Sequence, residues 1–352
     1  MKKILLVILC GSLPSGSPAQ TPAQTPADPS AVNSTTAAAE SLTVMTWNLE
    51  WFFDDEQADN HSVLAKEKTA PSRAAWDWRR DAIAKSISEV RPSILAVQEV
   101  ESRRVLWYLS RSLKRNHQLQ YQELGVEGRD HFTEQDVGLL IRSPVDVVSV
   151  FQGAYPNRIR SNGQFYDVSK HLLAVLEYQH GVNYERVIVM NVHLRSRPEG
   201  EAIRLRQGRL VHHWIAEAIK NGENVILLGD FNTEETGETT RQRSDLGIAS
   251  GLETPDSEDD LVDLNLRLAS DGRQTHMLDG RQFDRIFCSP SLLKDDPSRL
   301  DLVFTKIEVR PDLAIRGQPD TPEQHWETYW KLPADERDLS DHYPVMATFV
   351  LR

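Results

Sequence analysis

The chain has 352 residues, 39% of them hydrophobic and 26% charged, with a formal net charge of -12. This is the balance of a soluble globular protein with apolar material for a sizeable core, in one large domain or two ordinary ones. The acidic charge excludes a protein that coats nucleic acid nonspecifically, but not a nuclease whose cleft a metal makes locally positive.

Lys2 and Lys3, the apolar run from Ile4 to Leu9 and the small residues up to Ser17-Pro18-Ala19 read as an export signal over 1–19. The run is too short to span a bilayer. A secreted or periplasmic protein is expected. Cys10 sits where a lipoprotein cysteine would, but Leu9 is too bulky before it, so a lipid anchor is the lesser alternative. Signal cleavage would leave only Cys288, which excludes an intrachain disulfide framework and a cysteine metal site. In Arg285-Ile286-Phe287-Cys288 that thiol reads as buried and inert. Residues 20–40 belong to a stretch rich in Pro, Ala, Gln, Thr and Ser and read as a disordered tether. The folded domain is expected over 41–352.

Leu42 to Leu49 predicts a strand, and Trp78 to Val90 a helix with Ala82, Ile83, Ile87 and Val90 on one face. Arg91-Pro92 stops that helix. Ile94 to Val97 is a buried strand ending on Gln98-Glu99, and a helix follows around Val105 to Leu113. Val137 to Ile141, Leu172 to Glu177 and Arg186 to His193 predict further strands. Glu201 to Lys220 is a helix with Val211, Trp214, Ile215, Ala218 and Ile219 as its apolar stripe, closed by Asn221-Gly222. Asn224 to Leu228, Phe283 to Cys288 and Val345 to Val350 are the later strands. Residues 54–75, 233–260 and 312–338 are polar and read as irregular surface insertions. One domain with two mixed sheets and flanking helices is the simplest arrangement.

Polar groups recur at the ends of these strands: Trp47-Asn48, Gln98-Glu99, Asn191-Val192-His193, Asp230-Phe231-Asn232, Phe283-Asp284 and Asp341-His342. Each alone reads as a helix cap or a satisfied core histidine. Together they hold the parts of a metal-assisted phosphodiesterase. Glu99 and Asp341 can hold an oxygen-ligated cation, normally Mg²⁺. Asp230 can orient or deprotonate water. His193, Asn232 and His342 can serve the charge that grows on phosphorus, with Asp284 as the candidate to fix the His342 tautomer.

In this order the motifs resemble the endonuclease/exonuclease/phosphatase superfamily: Trp47-Asn48, Gln98-Glu99, Asp136-Val137-Gly138-Leu139-Leu140, Asn191-Val192-His193-Leu194, Gly229-Asp230-Phe231-Asn232, Phe283-Asp284-Arg285 and Ser340-Asp341-His342. The resemblance implies a four-layered α/β sandwich, as in deoxyribonuclease I, with its site between the tops of two sheets. It implies that Asn48, Glu99 and Asp341 form the metal network, with Mg²⁺ as cofactor and Mn²⁺ or Ca²⁺ as alternatives. It further implies His193 on the phosphate or leaving oxygen, Asp230 activating water beside Asn232, and Asp284 orienting His342. Lys170-His171 stand where many family nucleases have an arginine, and Glu134 and Asp136 are both candidates to support His193.

The leading expectation is an exported nuclease acting on DNA as a monomer, with no protein partner. A sphingomyelinase or an inositol or lipid phosphate hydrolase is the alternative, for which Trp326, Tyr329 and Trp330 would have to form an exposed hairpin. A binding or toxin-like module without catalysis is a third reading. His212 and His213 read as facing solvent or the core rim, and the run Trp51-Phe52-Phe53 reads as core or lid packing, with stacking on a base as the alternative. Arg195, Arg197, Arg204, Arg206 and Arg209 could follow a phosphate backbone or form a solvated face.

Overall fold

A computed structural model describes residues 41–151, 160–161, 164–165, 168–233, 243–317, 325–326 and 328–352. The expected signal, tether and Cys10 lie outside them. Residues Ala39–Arg352 cluster as one unit.

The strands are β1 (Ser41–Phe52), β2 (Ile94–Val100), β3 (Gln122–Val126), β4 (Asp136–Ile141), β5 (Val145–Phe151), β6 (Arg160–Ser161), β7 (Gln164–Phe165), β8 (His171–His180), β9 (Asn183–His193), β10 (Asn224–Asp230), β11 (Val262–Asp263), β12 (Asp284–Cys288), β13 (Leu302–Val309) and β14 (Val345–Leu351). The helices are α1 (Val63–Lys68), α2 (Arg73–Val90), α3 (Arg103–His117), α4 (Glu201–Lys220) and α5 (Asp245–Ala249). One sheet runs β13-β14-β1-β2-β4-β3 and the other β11-β12-β10-β9-β8-β5, with β6 and β7 pairing separately. Both are mixed: β1 and β2 are parallel, as are β9 and β10, while β14, β4, β12 and β8 pair antiparallel.

Side chains alternate across a strand, and here the alternation sorts the apolar residues into three cores. Leu42, Val44, Ile94 and Ala96 of the first sheet meet Val187, Val189, Ile226, Leu228, Ile286 and Cys288 of the second. The intervening residues Met45, Trp47, Leu95 and Val97 face α2 and α3 through Trp76, Ile83, Ile87, Val105 and Leu109. Ile188, Met190, Val192, Val225 and Leu227 face α4 through Leu210, Val211, Ile215 and Ile219. Three cores between four layers make the expected α/β sandwich.

The stretches read as surface insertions carry structure instead. Residues 54–75 contain α1 and the start of α2, whose N-cap Ser72 accepts from the Ala75 N–H. Within 233–260, α5 is buried along its whole length. Its Asp245 accepts from Nε of Arg204 at 2.5 Å, and Arg204 also donates to the carbonyls of Arg195 and Arg197. Arg204 is therefore a buried structural residue, not part of a solvated or phosphate-tracking face. Within 312–338, Tyr329 and His325 are buried. Trp326 and Trp330 pack on Tyr329 and on the guanidinium groups of Arg79 and Arg337. They do not form the exposed hairpin that a membrane substrate would favour. His212 is buried with Nε2 3.0 Å from the Asp259 carbonyl, while His213 is exposed. Phe52 and Phe53 are core, and Cys288 is a buried free thiol whose pKa burial pushes up to about 12. Among the described residues no helix is long and apolar enough to cross a membrane.

Candidate active site

The inward face of each sheet changes from apolar to polar at one end. After Leu42 and Val44 the next inward positions of β1 are Thr46 and Asn48; after Val187 and Val189 those of β9 are Asn191 and His193. In β10 Asp230 follows Ile226 and Leu228, and in the antiparallel β12 Asp284 precedes Ile286 and Cys288. Register then sets three of them in a row, because Asp230 pairs with His193 on one side and with Asp284 on the other. Below them Thr46, Gln98 and Asn191 form a buried polar floor, with Gln98 Nε2 donating to Asn191 Oδ1 at 2.6 Å and to Thr46 Oγ1 at 3.0 Å.

Two backbone departures complete the row. Glu99 would face α3 if β2 kept its alternation. The register shifts between Gln98 and Val100, and Glu99 takes φ 57, in the left-handed region. Its carboxylate is thereby brought to Asn48 Nδ2, at 3.1 Å. Gly229 has φ 136, and a Cβ there would lie 2.0 Å from the Val192 carbonyl oxygen. Only glycine permits this close approach of β10 to β9 just before Asp230.

Asn48 joins the two sheets. Its amide also donates to Asp230 Oδ2 at 3.0 Å and lies 3.5 Å from His342 Nε2, while its Oδ1 accepts from the Glu50 N–H. Asn232, at φ 48, donates to Asp230 from its backbone at 2.8 Å and from its side chain at 3.1 Å. His193 Nε2 lies 3.5 Å from Asp230 and 3.8 Å from Glu99. His342 Nδ1 is 2.8 Å from Asp284 Oδ2, and its Nε2 is 3.8 Å from Asp230 and 3.9 Å from Asp341. All eight residues named from the sequence thus stand at one end of the sandwich. Glu99 and Asp341 fall into separate donor clusters, Glu99 with His193 and Asp230, and Asp341 with His276 and His342.

Burial and charge set the protonation pattern. Burial, with Asp341 nearby, raises Glu99 to about 7. Burial, with Asp284 beside it, raises Asp230 as well. Burial and then Lys170 hold His193 well below the ordinary histidine value, so its ring is neutral. Burial opposes charge on His342 too, but Asp284, Asp230 and Asp341 outweigh it and lift its pKa well above the ordinary value. Burial works against the charge of Asp341, yet His342 and His276 hold its carboxyl below the usual range.

His276, Glu50 and Gln135 join the site without a sequence signal of their own. His276 comes from the irregular stretch before β12 and reaches His342 through an isolated bridge. Its Nδ1 accepts from the Leu278 N–H, so Nε2 carries the proton toward Asp341 Oδ2, at 3.3 Å. Glu50 accepts from the Asp341 N–H at 3.0 Å and lies 2.9 Å from His325 Nε2. Gln135 donates to Glu99 at 2.5 Å and accepts from Lys170, whose ammonium also pairs with Asp130. Lys170 therefore acts on Glu99 through Gln135. Neither candidate support for His193 touches it: Glu134 accepts from the His61 and Ser62 N–H groups, and Asp136 from that of Gly128.

The donor set fits an oxygen-ligated divalent cation. Glu99 and Asp230 bring two carboxylates together in one cluster, and in the other Asp341, beside two histidines, has a buried Oδ1 without a hydrogen bond.

The sequence profile described as the Endonuclease/Exonuclease/phosphatase family matches residues 45–342, and the chain belongs to that family. It is therefore a hydrolase of phosphoric ester bonds, in a family whose enzymes depend on divalent metals. The fold resembles TDP2 from C. elegans, with 19% identity over 88% of this chain and 75% of that one and a TM-score of 0.52. The human Nocturnin catalytic domain gives 16% identity over 89% and 95%, with a TM-score of 0.52. An endonuclease/exonuclease/phosphatase from Bacteroides vulgatus gives 18% over 89% and 100%, with a TM-score of 0.51. At such identities the likeness is one of fold. A comparison with curated proteins gave no match.

Proposed function

We propose that the protein is an exported, Mg²⁺-dependent phosphodiesterase that hydrolyses nucleic acid, DNA first among substrates. The observation that carries the chemistry is the network from Glu99 through Asn48 to Asp230, which lies 3.8 Å from the His342 ring held by Asp284. Export is supported by the N-terminal reading alone. DNA is supported by a neighbour in fold: the TDP2 of D. rerio was solved with a single-strand DNA product.

Glu99 and Asp341, one from each donor cluster, would hold the cation, with Asn48 orienting Glu99. When bound, the cation supplies charge neutralisation and Lewis-acid polarisation at the phosphate. The protein groups do the rest. Asp230, made more basic by burial, accepts the proton of the attacking water at Oδ2, and the amides of Asn48 and Asn232 fix its direction. Asp284 holds the proton on His342 Nδ1, so that Nε2–H faces the site as a cationic donor for the oxygen that gains charge. His193, neutral, offers a second donor without adding charge.

The test is a gel assay of the purified chain on supercoiled and linear DNA, with Mg²⁺, Mn²⁺, Ca²⁺ or EDTA. Metal-dependent cutting is expected. DNA and RNA left intact under every metal would refute the nuclease reading.

His276 acts through Asp341 in this scheme and is a positioning residue. The variant His276→Gln is expected to raise the metal concentration for half-maximal turnover by about 10- to 100-fold. Metal titration of initial rates reads this, with substrate KM changing much less. An unchanged metal requirement would leave His276 a packing residue.

A further inference from the structure

α1 brings a lysine to the edge of the site. The Lys68 ammonium lies 5.7 Å from the centre of the Trp51 ring and 5.0 Å from that of Trp326. It is half-buried, and no carboxylate among the described residues pairs with it. Burial lowers its pKa, opposed by Glu50, Glu67, Glu99 and Asp341, three of which belong to the site or adjoin it.

The bracket around it is built rather than incidental. The backbone N–H of Trp51 donates to Glu99 Oε2 at 3.1 Å, which ties the residue that carries this ring to the site. Glu50 and Trp51 have φ 45 and 51, a left-handed pair that non-glycine residues adopt only when their surroundings impose it. Arg79 imposes it by donating to the carbonyls of Leu49, Glu50 and Trp51, and the same guanidinium lies 5.1 Å from the Trp326 ring centre.

A carboxylate partner would cancel the charge of Lys68. Two ring faces hold the ammonium and leave that charge available to an anion. The same faces could otherwise cradle a quaternary ammonium head group, but the lysine already takes that place. A cation beside the hydrolytic network suits a substrate with a second phosphate next to the one attacked, as in a nucleic-acid strand.

We propose that Lys68, bracketed by Trp51 and Trp326, anchors a non-scissile phosphate of a nucleic-acid strand lying across the site. This rests on the phosphodiesterase reading above. The test compares the wild-type chain with Lys68→Met and Lys68→Arg on a single-stranded oligodeoxynucleotide and on bis(p-nitrophenyl) phosphate, which has one phosphate only. Thermal melts check that each variant is folded. Lys68→Met is expected to raise KM for the oligonucleotide about 10-fold with kcat nearly kept, the mark of lost uniform binding. KM for the one-phosphate diester should change less, and Lys68→Arg should recover most of the loss. In EDTA, where nothing is cut, oligonucleotide binding followed by tryptophan fluorescence should show a salt dependence shallower by about one in Lys68→Met. An oligonucleotide KM and salt slope equal to wild type in the folded methionine variant would overturn the proposal. So would a loss confined to binding of sphingomyelin vesicles. A wild-type chain that cuts neither substrate would overturn the phosphodiesterase reading instead, and the binding measurement in EDTA would still decide the role of Lys68.

Discussion

Replacing His342 with alanine is expected to lower kcat by about 10²- to 10⁴-fold, the range for loss of a positioned proton donor. His342 touches both halves of the network: Asp284 on one nitrogen at 2.8 Å, and Asn48 and Asp230 near the other at 3.5 and 3.8 Å. Without the ring, Asp230 loses the cation beside it and is more easily protonated. The loss therefore reaches Asp230 as well, and should not add to that of Asp230→Asn. Asp284→Asn leaves the ring in place but removes the carboxylate that holds its proton, so a smaller fall is expected. Initial rates on DNA or on a small phosphate diester, with the double variant alongside, measure all of this. Full activity in His342→Ala would show that the network is structural.

The largest effect on stability is expected at Arg79. Its side chain is 1% exposed and donates to three successive carbonyls at the end of β1, with the Leu339 carbonyl 3.4 Å away. Arg79→Met keeps the stem and removes every donor. Each carbonyl left unpaired in the interior costs about 1–3 kcal/mol, so the three together should cost at least about 3 kcal/mol. That is a large share of the stability of an ordinary domain. Turnover should fall as well, because Glu50 and Trp51 lose the contact that fixes their left-handed backbone beside Glu99. Arg79→Lys should recover only part of either loss, since an ammonium cannot serve several carbonyls as a planar fork does. Urea denaturation with parallel rate measurements tests this. A stability change below about 1 kcal/mol would mean that water replaces the guanidinium.

The difference between these two residues shows what a sequence can disclose. His342 was legible because it follows an acid at the start of a strongly apolar strand, and because Ser340-Asp341-His342 falls in a known order of motifs. α4 was legible to the residue, its apolar stripe being long and closed by Asn221-Gly222. Arg79 was not legible, since an arginine in an amphipathic helix looks solvated and only the irregular end of β1 shows what it serves. Among the missed strands, β3, β5 and β13 lie at sheet edges, where one flank is free and polar residues interrupt the apolar pattern, and β6, β7 and β11 are only two residues long. α5 is too short for a 3.6-residue period to emerge. His276 and Lys68 come from polar stretches whose place beside the site depends on tertiary contacts alone.

The position of β14 has a bearing on when activity can arise. This strand fills the slot between β13 and β1, and Asp341 and His342 stand immediately before it. His342 meets Asn48 across 294 positions of sequence. A chain being synthesised from its N-terminus holds Asn48, Glu99, His193 and Asp230 long before it holds the residues that make them a working set. Until then the first sheet lacks an inner strand and Asp230 has no cation beside it. The set is thus completed only when the last strand is in place, by strand order alone.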